Sequence, residues 1–275
     1  MSVSCSRLAA GLVSALIASG ALYGSPAGAL NLAVEPLYPP ERSKQVHKPL
    51  IDYLREATGL DIQLVTPENF HRYWSQIRTR DDFDLVYDAP HITDFVIQRH
   101  GYSPLAKAVN PTQFTLVGGY SLDEPTLDAV LGRSIVTMSA PSMGYMLLMK
   151  IFPNPLRQPN ITSAAQSWED AVQIVFDQEA DAAMLPSWMA QRYPQLAPIR
   201  TTDSYPGKTV SASPNVSAED RQAVKQALLD MAESDYASDI SFELNVDGFE
   251  EAQPEDFRGH MQLLENLYGF SLTGQ

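Results

Sequence analysis

Strand-like and helix-like segments alternate along this chain and the alternation restarts near its middle, which restricts the fold to an α/β unit built twice. Leu30-Asn31-Leu32-Ala33-Val34 reads as a strand, followed by the proline-stiffened loop Glu35-Pro36-Leu37-Tyr38-Pro39-Pro40. Val46, Leu50, Ile51, Leu54 and Ala57 recur at helical spacing, and Gly59 stands where a left-handed residue ends a helix. Asp61-Ile62-Gln63-Leu64-Val65 is a second expected strand. Thr66 and Pro67 read as the cap and first residue of the next helix, with Phe70, Tyr73, Trp74 and Ile77 on its apolar face. Asp84-Leu85-Val86-Tyr87 is a third strand, opening onto Asp88-Ala89-Pro90-His91. This β-α-β-α-β order is the core of a doubly wound lobe.

Phe114-Thr115-Leu116-Val117 is strand-like and ends in Gly118 and Gly119, an expected crossing point between lobes. The pattern then begins again. Ser134-Ile135-Val136-Thr137 reads as a strand, the loop from Ser139 to Gly144 enters a helix, and Ser167-Trp168-Glu169-Asp170 forms a capping box ahead of Ala171, Val172 and Val175. Asp181-Ala182-Ala183-Met184-Leu185 is the next strand, and Thr209 to Ser213 returns the chain to the first lobe. A final amphipathic helix is expected through Phe257, Met261, Leu264 and Leu267. The expected layout is one lobe from residues 30–117 and 209–275 and a second from 118–208, each a mainly parallel sheet with helices on both faces.

Met1 to Ala29 has the layout of a secretory signal peptide: Arg7, an apolar stretch from Leu8 to about Leu22 diluted by glycine and serine, then Ala27-Gly28-Ala29. The stretch is shorter than the ~20 apolar residues that span a bilayer. A mature chain starting at Leu30 would carry a charge of −15 in place of −14 and reside in the periplasm. The single cysteine, Cys5, would leave with the signal, so neither a disulfide nor a thiolate metal site is available. Nineteen Lys plus Arg face thirty-three Asp plus Glu with no basic run, which excludes nucleic acid as a partner.

Known catalytic motifs are missing. Gly101-Tyr102-Ser103-Pro104-Leu105 lacks the second glycine of a serine-hydrolase elbow, and Thr202 stands where a P-loop ending in Gly207-Lys208-Thr209 needs its leading glycine. The five histidines include no i, i+4 pair, and no metal or other cofactor is expected. Binding residues are expected at strand carboxyl ends, where ligands sit in open α/β sheets. These are Tyr38 on the first loop, Tyr87, Asp88 and His91 after the third strand, Ser139 and Ser142 before a helix that suits an anion, and Trp168 at a helix start. Trp188 reads as packing.

Taken together these segments resemble the periplasmic phosphate/phosphite/phosphonate-binding proteins of ABC transporters, over roughly Leu30 to Phe270. Pro49-Leu50-Ile51-Asp52-Tyr53-Leu54 with Gly59 is similar to that family's P-L-x-x-Y-L…T-G helix, Phe83-Asp84-Leu85-Val86-Tyr87 to its D-[IV]-x-x-x-x-P strand, and Asp181-Ala182-Ala183 to its V-D-A-A strand. The resemblance implies a two-lobed type II periplasmic-binding-protein fold that captures a small solute, a phosphonate-like oxyanion or a zwitterion, without a chemical step. It also implies a monomer that delivers the solute to an ABC permease in the inner membrane. Where that family carries an S-T-S-G hydroxyl cluster, this chain reads Pro141-Ser142-Met143-Gly144. An ionised Asp88 at the ligand would repel a doubly charged phosphonate by on the order of 4 kcal/mol per unit charge. The alternatives are a ligand-sensing or partner-binding module on the same fold and an enzyme using Asp88 and His91 as an acid–base pair.

Overall fold

The computed structural model describes residues 28–79 and 83–272, so the expected signal segment lies outside the described residues apart from Gly28 and Ala29. Among the described residues no helix is long and apolar enough to cross a membrane. The chain runs through β1 (Leu30–Val34), α1 (Pro40–Thr58), β2 (Ile62–Val65), α2 (Phe70–Thr79), β3 (Leu85–Asp88), α3 (Pro90–His100) and β4 (Ser103–Ala108). It continues through β5 (Phe114–Gly118), β6 (Ser134–Val136), α4 (Met143–Ile151), β7 (Asn160–Thr162), α5 (Trp168–Phe176), β8 (Ala182–Pro186), α6 (Ser187–Ala190) and β9 (Ala197–Thr201). It closes with β10 (Thr209–Ala212), α7 (Ala218–Asp230), α8 (Ala237–Leu244), β11 (Phe249–Glu251) and α9 (Pro254–Phe257).

Two sheets result, ordered β11-β4-β10-β3-β1-β2 and β7-β6-β8-β5-β9, with helices on both sides, and the two-lobed α/β expectation holds. Strand pairing is mixed where a mainly parallel sheet is expected. β1 runs parallel to β2 and β3, but β10 returns from the second lobe in the opposite sense and pairs antiparallel with β3 and β4. In the second lobe β6 is parallel to β7 and β8, whereas β5 is antiparallel to β8 and β9.

One boundary moves. β5 belongs to the second sheet, with Thr115 opposite Leu185 on one side and Thr201 on the other, so residues 114–117 leave the first lobe. The chain crosses between Ala108 and Phe114 and returns between Thr201 and Thr209. The paired glycines that suggested a crossing are packing glycines. A Cβ on Gly119 would stand 2.5 Å from Val175 Cγ1 of α5, and one on Gly118 2.9 Å from Leu122.

Local signals account for most elements. Period-two alternation sends Leu32, Val34, Leu85 and Tyr87 to the core beneath α1 and α7, and Ala33 and Val86 to the core beneath α2 and α3. The second of these cores is continuous with Phe114, Leu116, Trp168 and Met184 of the other lobe. Gly59 ends α1 at φ 71°, and the Ser142, Ser167 and Ser217 hydroxyls cap α4, α5 and α7. α2 starts three residues later than Thr66 and Pro67 suggest, because the Asn69 side chain accepts the Arg72 amide. The expected final helix is broken into α9 and short 3-10 turns, with Gly259 at φ 92° between them.

Candidate functional site

The carboxyl ends of β1 and β3 and the start of β10 are aligned by the pairs Val34 with Tyr87 and Asp88 with Thr209. Three side chains meet there. Glu35, 3% exposed, forms an ion pair with Lys208 through Oε2 at 3.1 Å, and the Lys208 ammonium lies 4.5 Å from the centre of the Tyr87 ring. These residues border a cavity of about 110 Å³ between the sheets. A water needs roughly 10–15 Å³ of such space, so the cavity suits a solute of a few heavy atoms. Tyr38, Phe114, Trp168 and Trp188 form its aromatic walls, and His47, Gln113 and Asn245 add polar edges.

Local structure explains each placement. Tyr38 sits on the loop between β1 and the proline start of α1, and its hydroxyl pKa is pushed up to about 12 by burial, with Glu169 adding to the effect. Trp168 is the first residue of α5 behind the Ser167 cap, and it stacks edge-on against Phe114 at 5.5 Å. Gly144 leaves the room for that stack, since a Cβ there would lie 3.1 Å from Phe114 and 3.3 Å from Trp168. A larger hollow of about 610 Å³ lies between α4 and residues 259–268, away from the strand ends.

His47 is buried on α1, and its Nδ1 donates to the Ser43 carbonyl at 2.8 Å, which leaves Nε2 as an acceptor. Burial pushes its pKa down to about 4 from 6.5. Because the folded value lies below the unfolded one, the unfolded chain takes up the proton first as pH falls. The stabilisation is therefore complete above about pH 6.5 and is lost progressively towards pH 4, a total of about 3 kcal/mol. Urea unfolding between pH 7.5 and 4.5 should show His47→Gln losing distinctly less stability than the parent; parallel pH profiles would remove His47 from the account.

The expected site residues divide into two groups. Tyr38, Tyr87 and Trp168 line the cavity, whereas Asp88, His91, Ser139 and Ser142 do not. Asp88 follows Tyr87 on the strand and turns to the opposite face, where it is fully buried and accepts the Tyr73 hydroxyl. Burial, then the Glu35 charge, raises its pKa well above the ordinary carboxylate value, and because it faces away from the cavity it is not the expected cleft carboxylate. His91 does not pair with Asp88. Its Nε2 donates across the lobes to the Pro141 carbonyl at 2.7 Å, so the acid–base pair is not assembled. That contact is made to the Ser139–Ser142 loop, where the Ser142 hydroxyl donates to the Met138 carbonyl and accepts the Tyr145 amide.

Glu35, His47, Lys208 and Trp188 were not expected at the site. Lys208 is distant in sequence from Glu35 and Tyr87, and only the antiparallel return of β10 brings it there. The one available signal was the position of Glu35 directly after the first strand.

A family model described as the phosphonate periplasmic substrate-binding protein of ABC transporters matches residues 32–257. Among solved structures, PhnD1 from Prochlorococcus marinus in complex with methylphosphonate superposes with a TM-score of 0.72 at 12% identity, covering 88% of this chain and 99% of that one. A binding protein component of an ABC phosphonate transporter from Pseudomonas aeruginosa gives 0.71 at 14% identity, covering 86% and 85%. A Xanthomonas citri protein bound to ATP gives 0.65 at 16% identity, covering 86% and 96%. Identities this low establish a shared fold alone. Among curated protein sequences none matches.

Proposed function

The chain belongs to the periplasmic phosphonate substrate-binding proteins of ABC transporters, and from that premise we propose that it captures a small solute between its two lobes and hands it to an inner-membrane permease. The observation that carries this reading is the cavity at the strand ends, where an aromatic enclosure surrounds one buried ion pair. Apolar and aromatic walls with a few fixed polar groups are what a small-molecule site needs. The enclosure draws Tyr38, Tyr87 and Lys208 from the first lobe and Phe114, Trp168 and Trp188 from the second, so parting the lobes would open it. A monomer exported by its N-terminal segment would do this work in the periplasm. No residue needs to change covalently.

The test is a thermal-shift panel on the mature chain with methylphosphonate, phosphite, phosphate, amino acids and organic cations. A ligand at 100 times its Kd stabilises by about 2.7 kcal/mol. Tyr87→Phe and Trp168→Leu should each weaken the shift at least tenfold in apparent affinity. If a ligand is found and both variants bind it as the parent does, this cavity is not the site.

A further inference from the structure

Two polar atoms at the cavity have no partner: Oε1 of Glu35 and the hydroxyl of Tyr87, on side chains 3% and 1% exposed. A carboxylate oxygen only accepts, and the tyrosine hydroxyl can accept as well as donate. Buried polar groups left without a partner are costly, so the ligand that belongs here brings donors.

A metal ion is a poor source of that charge: among the described residues no three His, Asp or Glu side chains are gathered to hold one. Charge sets a second condition. Lys208 and Glu35 cancel, so closure over a dianion would bury an uncompensated double charge in a protein of formal charge −14. A ligand of zero net charge leaves the balance intact.

Resting on the importer reading, we propose that the solute is a small zwitterion of zero net charge, an aminosulfonate or amino acid. Its ammonium meets Glu35 and Tyr87, its anionic end meets Lys208, and it is preferred to phosphonate dianions. An ammonium supplies three N–H donors to these acceptors, and the aromatic side chains of Tyr38 and Trp168 line the same cavity. Glu35 is then the residue that sets specificity.

The experiment is calorimetry with matched pairs: 2-aminoethanesulfonate against ethanesulfonate, β-alanine against propionate, and methylphosphonate alone. The amine-bearing member of at least one pair should bind at least tenfold tighter than its amine-free partner and than methylphosphonate. Glu35→Gln should bring that ratio close to one, and Tyr87→Phe should lower it partially. If methylphosphonate binds best, or Glu35→Gln leaves the amine preference intact, the zwitterion proposal is overturned and solute capture stands. Should no member of either pair bind, the proposal is likewise overturned, and the broader thermal-shift panel decides the importer reading separately.

Discussion

Replacing Lys208 by methionine should cost about 3 kcal/mol of folding stability, because it strands the Glu35 carboxylate inside the protein. Glu35 is 3% exposed and Lys208 is its ion-pair partner at 3.1 Å. Breaking a buried pair from one side costs about 3–5 kcal/mol. The low end applies because the Lys208 side chain keeps 22% exposure, leaving water a partial route to the site. Glu35→Gln should be milder, since the lysine it frees can be solvated. The double variant Glu35→Gln/Lys208→Met should be more stable than Lys208→Met alone, which a double-mutant cycle by urea unfolding would measure. A cost below about 0.5 kcal/mol for Lys208→Met would mean that the pair is not structural.

Gly207→Ala should be at least as damaging, for steric reasons. A Cβ there would stand 2.0 Å from the Ala108 carbonyl oxygen and 2.8 Å from that of Asn110, both backbone atoms that no rotamer change can move aside. Overpacking typically costs about 1–3 kcal/mol, and contact this close with backbone belongs at or above the upper end. The two chain crossings run side by side here, held by the Ala108 amide donating to the Lys208 carbonyl at 2.8 Å. Pushing them apart should also displace Lys208 and lower ligand affinity. Gly248→Ala is the control, because its Cβ would meet only Ala232 at 3.5 Å, and it should change stability by less than about 1 kcal/mol. Equal effects at the two glycines would dispose of the close-approach argument.

The order of elements, the two-lobed class and three of the aromatic residues that line the cavity are legible in the chain alone. These are local properties: alternation along a strand, spacing around a helix, serine at a cap. Tyr38, Tyr87 and Trp168 could be placed because each follows or begins an element with a clear signal. Asp88 shows the limit of that reasoning. It adjoins Tyr87 in sequence, but a strand turns successive side chains to opposite faces, and Tyr73 was waiting on the other side. Ser139 and Ser142 were expected at the ligand, yet His91 reaches across from the first lobe to Pro141 between them and neither serine lines the cavity.

The charged part of the candidate site and the sheet to which β5 belongs follow from the three-dimensional arrangement. Glu35 and Lys208 are 173 positions apart, and their pairing depends on the strand order β10-β3-β1, which no local pattern encodes. Likewise, Gly118 and Gly119 were legible as glycines, but whether they serve a crossing or a close contact with α5 depends on which sheet accepts β5. Hydrophobic periodicity fixes which face of an element is buried; it carries no information on which distant charge will be buried beside it. The net charge of the chain argues against a nucleic-acid partner without any structure, whereas the balanced charge of the cleft emerged only when the chain returned through β10.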